Sequence, residues 1–265
     1  MRVLRTTLGS MSNGILQTSD TLAHSRLKAV DGEVGACEGL YFDDVRWAVR
    51  YLLVDSSEWL PGRRTLVSPV AIGEVRPRAQ EILVELTRIQ IGDSPLFDPG
   101  RPLSRSYEVE YFDYYRWPAY WSCEPLYRGA QSPADTGMKS RLGETLDSMR
   151  AEGVHLHTSN ELIGTSVVAR DVTVGVVTNF VVDIRYWIIR YLLIEKVKPR
   201  DDWLLPVSPC WIAQINWLDR VAQFDVGAAA MDSAPTLRCA SDIDRDYEAR
   251  LHHHYGRTGY WQKEG

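Results

Sequence analysis

The chain contains one sequence pattern twice, and this repeat constrains the fold more than any other feature. WAVRYLLVD at Trp47–Asp55 recurs as WIIRYLLIE at Trp187–Glu195, an offset of 140 positions. The same offset relates Val-Ser-Pro at 67–69 to Val-Ser-Pro at 207–209, and Tyr-Glu at 107–108 to Tyr-Glu at 247–248. A tandem duplication of this kind predicts two modules with one architecture.

The repeat also predicts the domain bounds. The first module spans 1–121 and the second, more diverged module spans 156–265. The connecting segment 122–155 begins with Gly, Ser and Pro residues that are typical of a linker. Its second half places Met138, Leu142, Leu146 and Met149 at spacings that predict a short amphipathic helix.

Each copy has the pattern of short strands separated by tight turns. Asp31-Gly32 and Asp43-Asp44 are turn signals, and Ser104 suits the N-cap of a terminal helix. We therefore predict a mainly β fold of two small β-barrels in tandem, each followed by a short C-terminal helix. The strands predicted in the first copy are 25–30, 34–42, 47–55, 65–68 and 81–87.

Four segments of the first copy resemble a known family, the PRC-barrel domain of the photosynthetic reaction centre H subunit and related bacterial proteins. These segments are DGEVG at 31–35, LYFDD at 40–44, WAVRYLLVD at 47–55 and LVSP at 66–69. The tail, with its Tyr-Glu helix and terminal Tyr-Trp, is similar to that of a bacterial subgroup.

The second copy departs from the pattern at Val172, at Ile184 and at 228–231. The resemblance implies small barrels that contact protein or RNA and share no catalytic residues. The H subunit has a membrane anchor. A membrane-spanning helix needs an apolar run of about 20 residues, which this sequence lacks, so no membrane insertion is expected.

The charged and polar residues that occur at equivalent positions in both copies are interpreted as structural. Aspartates in turns cap backbone N–H groups, and Arg50 inside an apolar strand predicts an internal ion pair with Asp43 or Glu108. No nucleophile elbow, phosphate loop or dinucleotide fingerprint is present, so we expect no enzyme activity and no cofactor. The structural set is Asp31, Gly35, Asp43, Arg50, Glu108 and Trp121, with Asp171, Gly175, Asp183, Arg190, Glu248 and Trp261 as their equivalents.

Two clusters in the second copy are less easily assigned. Trp203, Trp211 and Trp217 replace Arg63, Ala71 and Pro77, and they are either core residues or a candidate interaction surface. His252, His253 and His254 lie inside the repeated Tyr-Glu helix, so they are not a terminal tag. Because adjacent helical residues point about 100° apart, the three cannot share one ion, and we expect no metal site.

The leading functional prediction is a non-enzymatic cytoplasmic adaptor, a fused pseudo-dimer that binds another protein or forms a homo-oligomer. One alternative is a regulatory or stress protein with a small-molecule or ion pocket between the modules. Another is an RNA-linked assembly factor, which the net charge of −5 and the pI near 5.7 disfavour. Four widely spaced cysteines without a CxxC pair are typical of reduced cytosolic thiols.

Overall fold

The computed structural model describes residues 15–121, 156–170, 172–196 and 204–263. The predicted linker helix lies outside these residues. The chain forms two compact units. The first-repeat unit comprises Leu22–Thr158 and Tyr186–Ile188, and the second-repeat unit comprises Met1–Thr21, Ser159–Arg185 and Ile189–Gly265.

Fourteen strands lie in the described part of the chain. The first seven are β1 (Leu16–Thr18), β2 (Arg26–Ala29), β3 (Gly32–Asp43), β4 (Ala48–Asp55), β5 (Arg64–Val67), β6 (Ile72–Arg76) and β7 (Glu81–Val84). The others are β8 (Leu156–Thr158), β9 (Ser166–Ala169), β10 (Val172–Asp183), β11 (Ile188–Lys196), β12 (Leu204–Val207), β13 (Ile212–Asn216) and β14 (Val221–Phe224).

The helices are short and connect or follow the strands. The α-helices are α1 (Ser19–Ala23), α2 (Arg88–Gly92), α3 (Arg105–Tyr115), α4 (Ser159–Leu162), α5 (Ala228–Asp232) and α6 (Arg245–His254). Single 3-10 turns occur at Pro69–Ala71, Pro77–Ala79, Pro209–Trp211, Ala240–Asp242 and Tyr260–Lys263. Within the described ranges, no helix has the length and apolar character needed to cross a membrane.

Strand pairing is the same in the two units. In the first-repeat unit the order is β6-β7-β2-β3-β4, with β5 on β4 and β8 on β3. In the second-repeat unit it is β13-β14-β9-β10-β11, with β12 on β11 and β1 on β10. One pair in each unit, β2–β7 or β9–β14, is parallel. The predicted mainly β class is confirmed, whereas these strand orders do not close into rings, so the predicted barrels stay a prediction.

The first strand of each repeat belongs to the unit of the other repeat. β1 pairs with β10, Leu16 opposite Asp183, and β8 pairs with β3, Leu156 opposite Asp43. The two registers are identical once the offset is applied, so the exchange is reciprocal. The compact units therefore differ from the sequence repeats 1–121 and 156–265 by one strand each and by the segment Tyr186–Ile188, which lies in the first-repeat unit.

Polar side chains hold β1 in the second-repeat unit. The Ser19 hydroxyl donates to Asn179 Oδ1 at 2.5 Å, and Asn179 Nδ2 donates to Asp20 Oδ2 at 2.7 Å. Gly39 occupies the equivalent of Asn179 in the first repeat. Because the strand itself is only three residues long, these side-chain bonds add a substantial part of its anchoring.

Local sequence signals placed most elements within a few residues. Ser104 is the N-cap of α3, and its hydroxyl accepts from the Tyr107 N–H at 3.2 Å, as predicted. The turn after β3 is likewise closed by Asp43, whose Oδ1 accepts from the Arg46 N–H at 2.6 Å. The Asp31 carboxylate also accepts from a backbone N–H, but at 2.8 Å from the distant Arg88, the residue after the α2 N-cap Thr87, and not from its own turn. Asp171 lies outside the described residues.

Gly35 permits the close crossing of β3 and β4. A Cβ atom at this position would lie 1.8 Å from the Asp55 carbonyl oxygen, and the residue has a φ of +146°. At the equivalent Gly175, a Cβ would lie 2.1 Å from the Glu195 carbonyl oxygen. Glycine is therefore required at both positions by backbone contact.

We predict that Gly35→Ala lowers the free energy of unfolding by about 3 kcal/mol or more, because the two strands must separate to admit the methyl group. Gly227→Ala is the matched control, since no heavy atom lies within 4 Å of its added Cβ. Chemical denaturation followed by tryptophan fluorescence measures both. Equal stabilities of the two variants would contradict this account of Gly35.

A second prediction tests the strand exchange. Removing residues 1–18 deletes β1 and frees the Ile184 N–H, which donates to the Ile15 carbonyl oxygen at 2.9 Å. Hydrogen exchange should therefore accelerate at the end of β10, while the segment 41–43, which pairs with β8, keeps its protection. Faster exchange at 41–43 with no change at Ile184 would show that β1 pairs within its own repeat.

Candidate functional site

The most concentrated polar chemistry of the first-repeat unit surrounds the carboxyl group of Glu108 on α3. Oε1 accepts from the Tyr51 hydroxyl at 3.1 Å and from the Tyr120 hydroxyl at 2.8 Å. Oε2 accepts from Arg105 Nη1 at 2.8 Å. The side chain is fully buried, and this burial raises the pKa of Glu108 despite its donors.

A second buried pair lies next to this cluster. Arg50 Nε donates to Asp43 Oδ2 at 2.6 Å, which confirms one of its two predicted partners. The Arg50 guanidinium also lies 3.9 Å from the centre of the Tyr120 ring. Burial opposes the charge on Arg50, but the combined interactions with Asp43, Tyr120 and Glu108 outweigh this effect and raise the pKa of Arg50.

The second-repeat unit contains the same arrangement on α6. Glu248 Oε1 accepts from the Tyr260 hydroxyl at 2.7 Å, and Oε2 lies 3.0 Å from Arg245 Nη1. Asp183 Oδ2 accepts from Arg190 Nη2 at 3.0 Å. Trp121 and Trp261 complete the clusters in their own units, at 4.1 Å from the guanidinium of Arg105 and 4.4 Å from that of Arg245.

His252 is the main chemical difference between the two clusters. It replaces Phe112, and its Nε2 lies 3.1 Å from the Tyr191 hydroxyl, which also lies 2.9 Å from Glu248 Oε1. Its Nδ1 lies 3.2 Å from the Thr258 carbonyl oxygen. A neutral imidazole must then donate from Nδ1 and accept at Nε2 from Tyr191.

The single hydroxyl hydrogen of Tyr191 cannot serve both Glu248 and His252. All these contacts are satisfied when the Glu248 carboxyl carries a proton and His252 is neutral. Burial raises the pKa of Glu248 and lowers the pKa of His252 to about 4, so it shifts both groups toward their neutral forms. The buried polar groups of Glu248, Tyr191 and His252 thus all have partners within the unit.

The other two histidines make no common site with His252. His253 is exposed, whereas His254 Nε2 lies 2.7 Å from the Ala230 carbonyl oxygen. Across the ranges that the structure describes, no group of three or more His, Cys, Asp or Glu side chains is placed to hold a metal ion. The Cys37 thiol is buried, which raises its pKa to about 12 and makes it a poor nucleophile.

The predicted tryptophan surface is corrected at Trp211. This side chain is 4% exposed and packs against His252 and Tyr255, with ring centroids 5.3 and 4.7 Å apart. Its location matches the core alternative, because the aromatic residues of α6 cover it. Trp217 is half-buried in the turn between β13 and β14, and Trp203 lies outside the described residues.

Sequence reasoning missed a groove beside α3 in the first-repeat unit. This α3 groove has a volume of about 510 Å³ and is lined by Asp93, Pro95, Ser106, Val109, Glu110, Asp113 and Tyr114. The sequence does contain one indication of this groove: the spacing of Ser106, Glu110 and Asp113 places the three residues on one face of a helix.

Neither a protein-family model nor a curated protein matches this chain. The PRC-barrel resemblance therefore depends only on the sequence segments that suggested it, and it stays a prediction.

We predict that His252 makes folding stability sensitive to acid. The unfolded state binds a proton as the pH falls below about 6.5, whereas the folded state resists protonation down to about 4. The free energy of unfolding is therefore unaffected by His252 above about pH 6.5. It decreases by about 3 kcal/mol as the pH falls to about 4, because only the unfolded state binds the proton readily. Denaturation curves between pH 4 and 7 should show that His252→Phe, which restores the first-repeat residue, removes this loss.

His253→Phe is the matched control, because the same change is made on the exposed side of α6. It should keep the wild-type dependence of stability on pH. If His252→Phe kept that dependence too, burial of a neutral imidazole would not be its source.

Proposed function

We propose that the chain is a non-enzymatic cytoplasmic adaptor, built from a fused pair of PRC-barrel modules, that binds another protein. The observation that carries this proposal is the burial of the polar residues that both repeats retain. In the first-repeat unit Arg50 pairs with Asp43, and Arg105 pairs with Glu108. The equivalent pairs form in the second-repeat unit.

A catalytic site needs chemically active side chains that a substrate can reach. The repeated carboxylates and guanidinium groups instead donate to or accept from protein partners, with relative exposures of 7% or less for Arg190, Asp183 and Glu248. Their retention is explained by stability, since removing one partner of a buried ion pair costs about 3–5 kcal/mol. Function is then expected on the surfaces, where the two repeats differ.

The surfaces have diverged in a way that favours binding. The first repeat exposes Ile89 and Leu96 by 71% and 77%, where the second has Ala229 and Thr236. Exposed apolar side chains beside charged ones are typical of protein interaction sites. The acidic charge of the whole chain favours basic or neutral protein partners over nucleic acid.

The full-length chain, used as bait in its source cells with chemical crosslinking and quantitative mass spectrometry, tests the adaptor proposal. We expect one protein recovered in an amount comparable to the bait, and its loss with Gly35→Ala, the destabilised variant. Gly227→Ala is the matched control and should recover the same protein. Recovery of no such protein, together with thermal stabilisation by a metabolite or metal ion, would overturn the proposal.

A further inference from the structure

The α3 groove combines an apolar floor with an acidic rim. Val109 and Tyr114 are 43% and 39% exposed within it. Asp93, Glu110 and Asp113 are exposed around them, and no ion pair found in the described part of the chain involves these three carboxylates. The neighbouring Arg63 donates to the carbonyl oxygens of Gly92 and Ser94 and to none of these carboxylates, so three negative charges stand against one positive charge at the groove.

The walls of the groove are joined by hydrogen bonds from tyrosine hydroxyl groups. The Tyr107 hydroxyl donates to the Pro95 carbonyl oxygen at 3.2 Å, and the Tyr114 hydroxyl donates to the Gln90 carbonyl oxygen at 2.9 Å. Tyr111, on the opposite face of α3, is fully buried in the aromatic core. Since these contacts set the position of α3 against the segment 90–95, the groove exists before any partner binds.

The second repeat lacks this combination of residues. Ser233, Arg250 and His253 stand at the equivalents of Asp93, Glu110 and Asp113. The apolar positions have changed too, to Ala249 and His254. The acidic and apolar character is thus specific to the first repeat, although α6 has the same place in its unit as α3.

We infer that the α3 groove binds a basic amphipathic segment of a partner protein. An apolar side chain of that segment contacts Val109 and Tyr114, while flanking Lys or Arg side chains pair with Glu110, Asp113 and Asp93. The charges are complementary only for a cationic partner, and the apolar floor distinguishes such a segment from a simple cation. This inference rests on the proposed adaptor function and names the surface and the partner chemistry.

Fluorescence anisotropy tests the inference with a labelled Lys/Leu peptide whose leucines lie on one helical face. The full-length chain should bind this peptide more tightly than a shuffled peptide of the same composition. Glu110→Gln combined with Asp113→Asn should weaken binding about fivefold, because two rim ion pairs are lost. Val109→Ser should also weaken binding, through loss of the apolar contact.

The matched control combines Asp242→Asn and Asp246→Asn, which remove the same net charge near α6 in the other unit. This control should bind the amphipathic peptide within about twofold of the wild type, because neither aspartate lines the α3 groove. Circular dichroism confirms that each variant is folded. Equal binding of the shuffled peptide, or equal weakening by the control pair, would overturn the inference in favour of non-specific charge attraction.

The peptide experiment is independent of the adaptor experiment. A stoichiometric protein captured equally by the wild type and by Glu110→Gln/Asp113→Asn would overturn the groove as its binding site and leave the adaptor proposal intact. Conversely, peptide binding that follows the expected pattern supports the groove even when the bait recovers no partner, and that outcome counts against the adaptor proposal alone.

Discussion

A buried carboxyl group on the terminal helix of each repeat is the interaction on which the rest of each unit depends. Glu108 accepts from Tyr51 on β4 and from Tyr120 after α3, so one side chain joins the sheet, the helix and the C-terminal segment. Glu248 makes the equivalent contacts with Tyr191 and Tyr260. A carboxyl group removed from water is costly unless its donors are in place. This requirement fixes the position of the helix and leaves one face of it for solvent or a partner.

Divergence between the repeats follows from the same constraint. Inside the clusters, a buried polar group without a partner is costly, and His252 has partners in Tyr191 and Thr258. Outside them, the exposed face of α3 has become acidic and apolar while that of α6 has not. The two repeats thus share a buried frame and differ on the exposed face of the helix that this frame positions.

The sequence predicted those features whose causes are local. The N-cap at Ser104, the turn closed by Asp43 and the Arg50–Asp43 pair all depend on residues within a few positions or on adjacent strands. The sequence left two locations open for Trp211, because tryptophan occurs both in cores and at interaction surfaces, and only its neighbours in space distinguish them. Asp31 was assigned to its own turn, whereas its actual partner is 57 positions away.

The sequence by itself determined that the chain is a duplication, that both copies are rich in strands and that the same polar residues recur in each. The tertiary structure decided which copy each first strand completes. β1 and β8 have equivalent sequences and identical registers, so no local pattern distinguishes pairing within a repeat from pairing across repeats. It also decided that the solvent-facing side of α3 is a groove, because a groove depends on the distance between α3 and the segment 90–95, which the aromatic core and the tyrosine hydroxyls set.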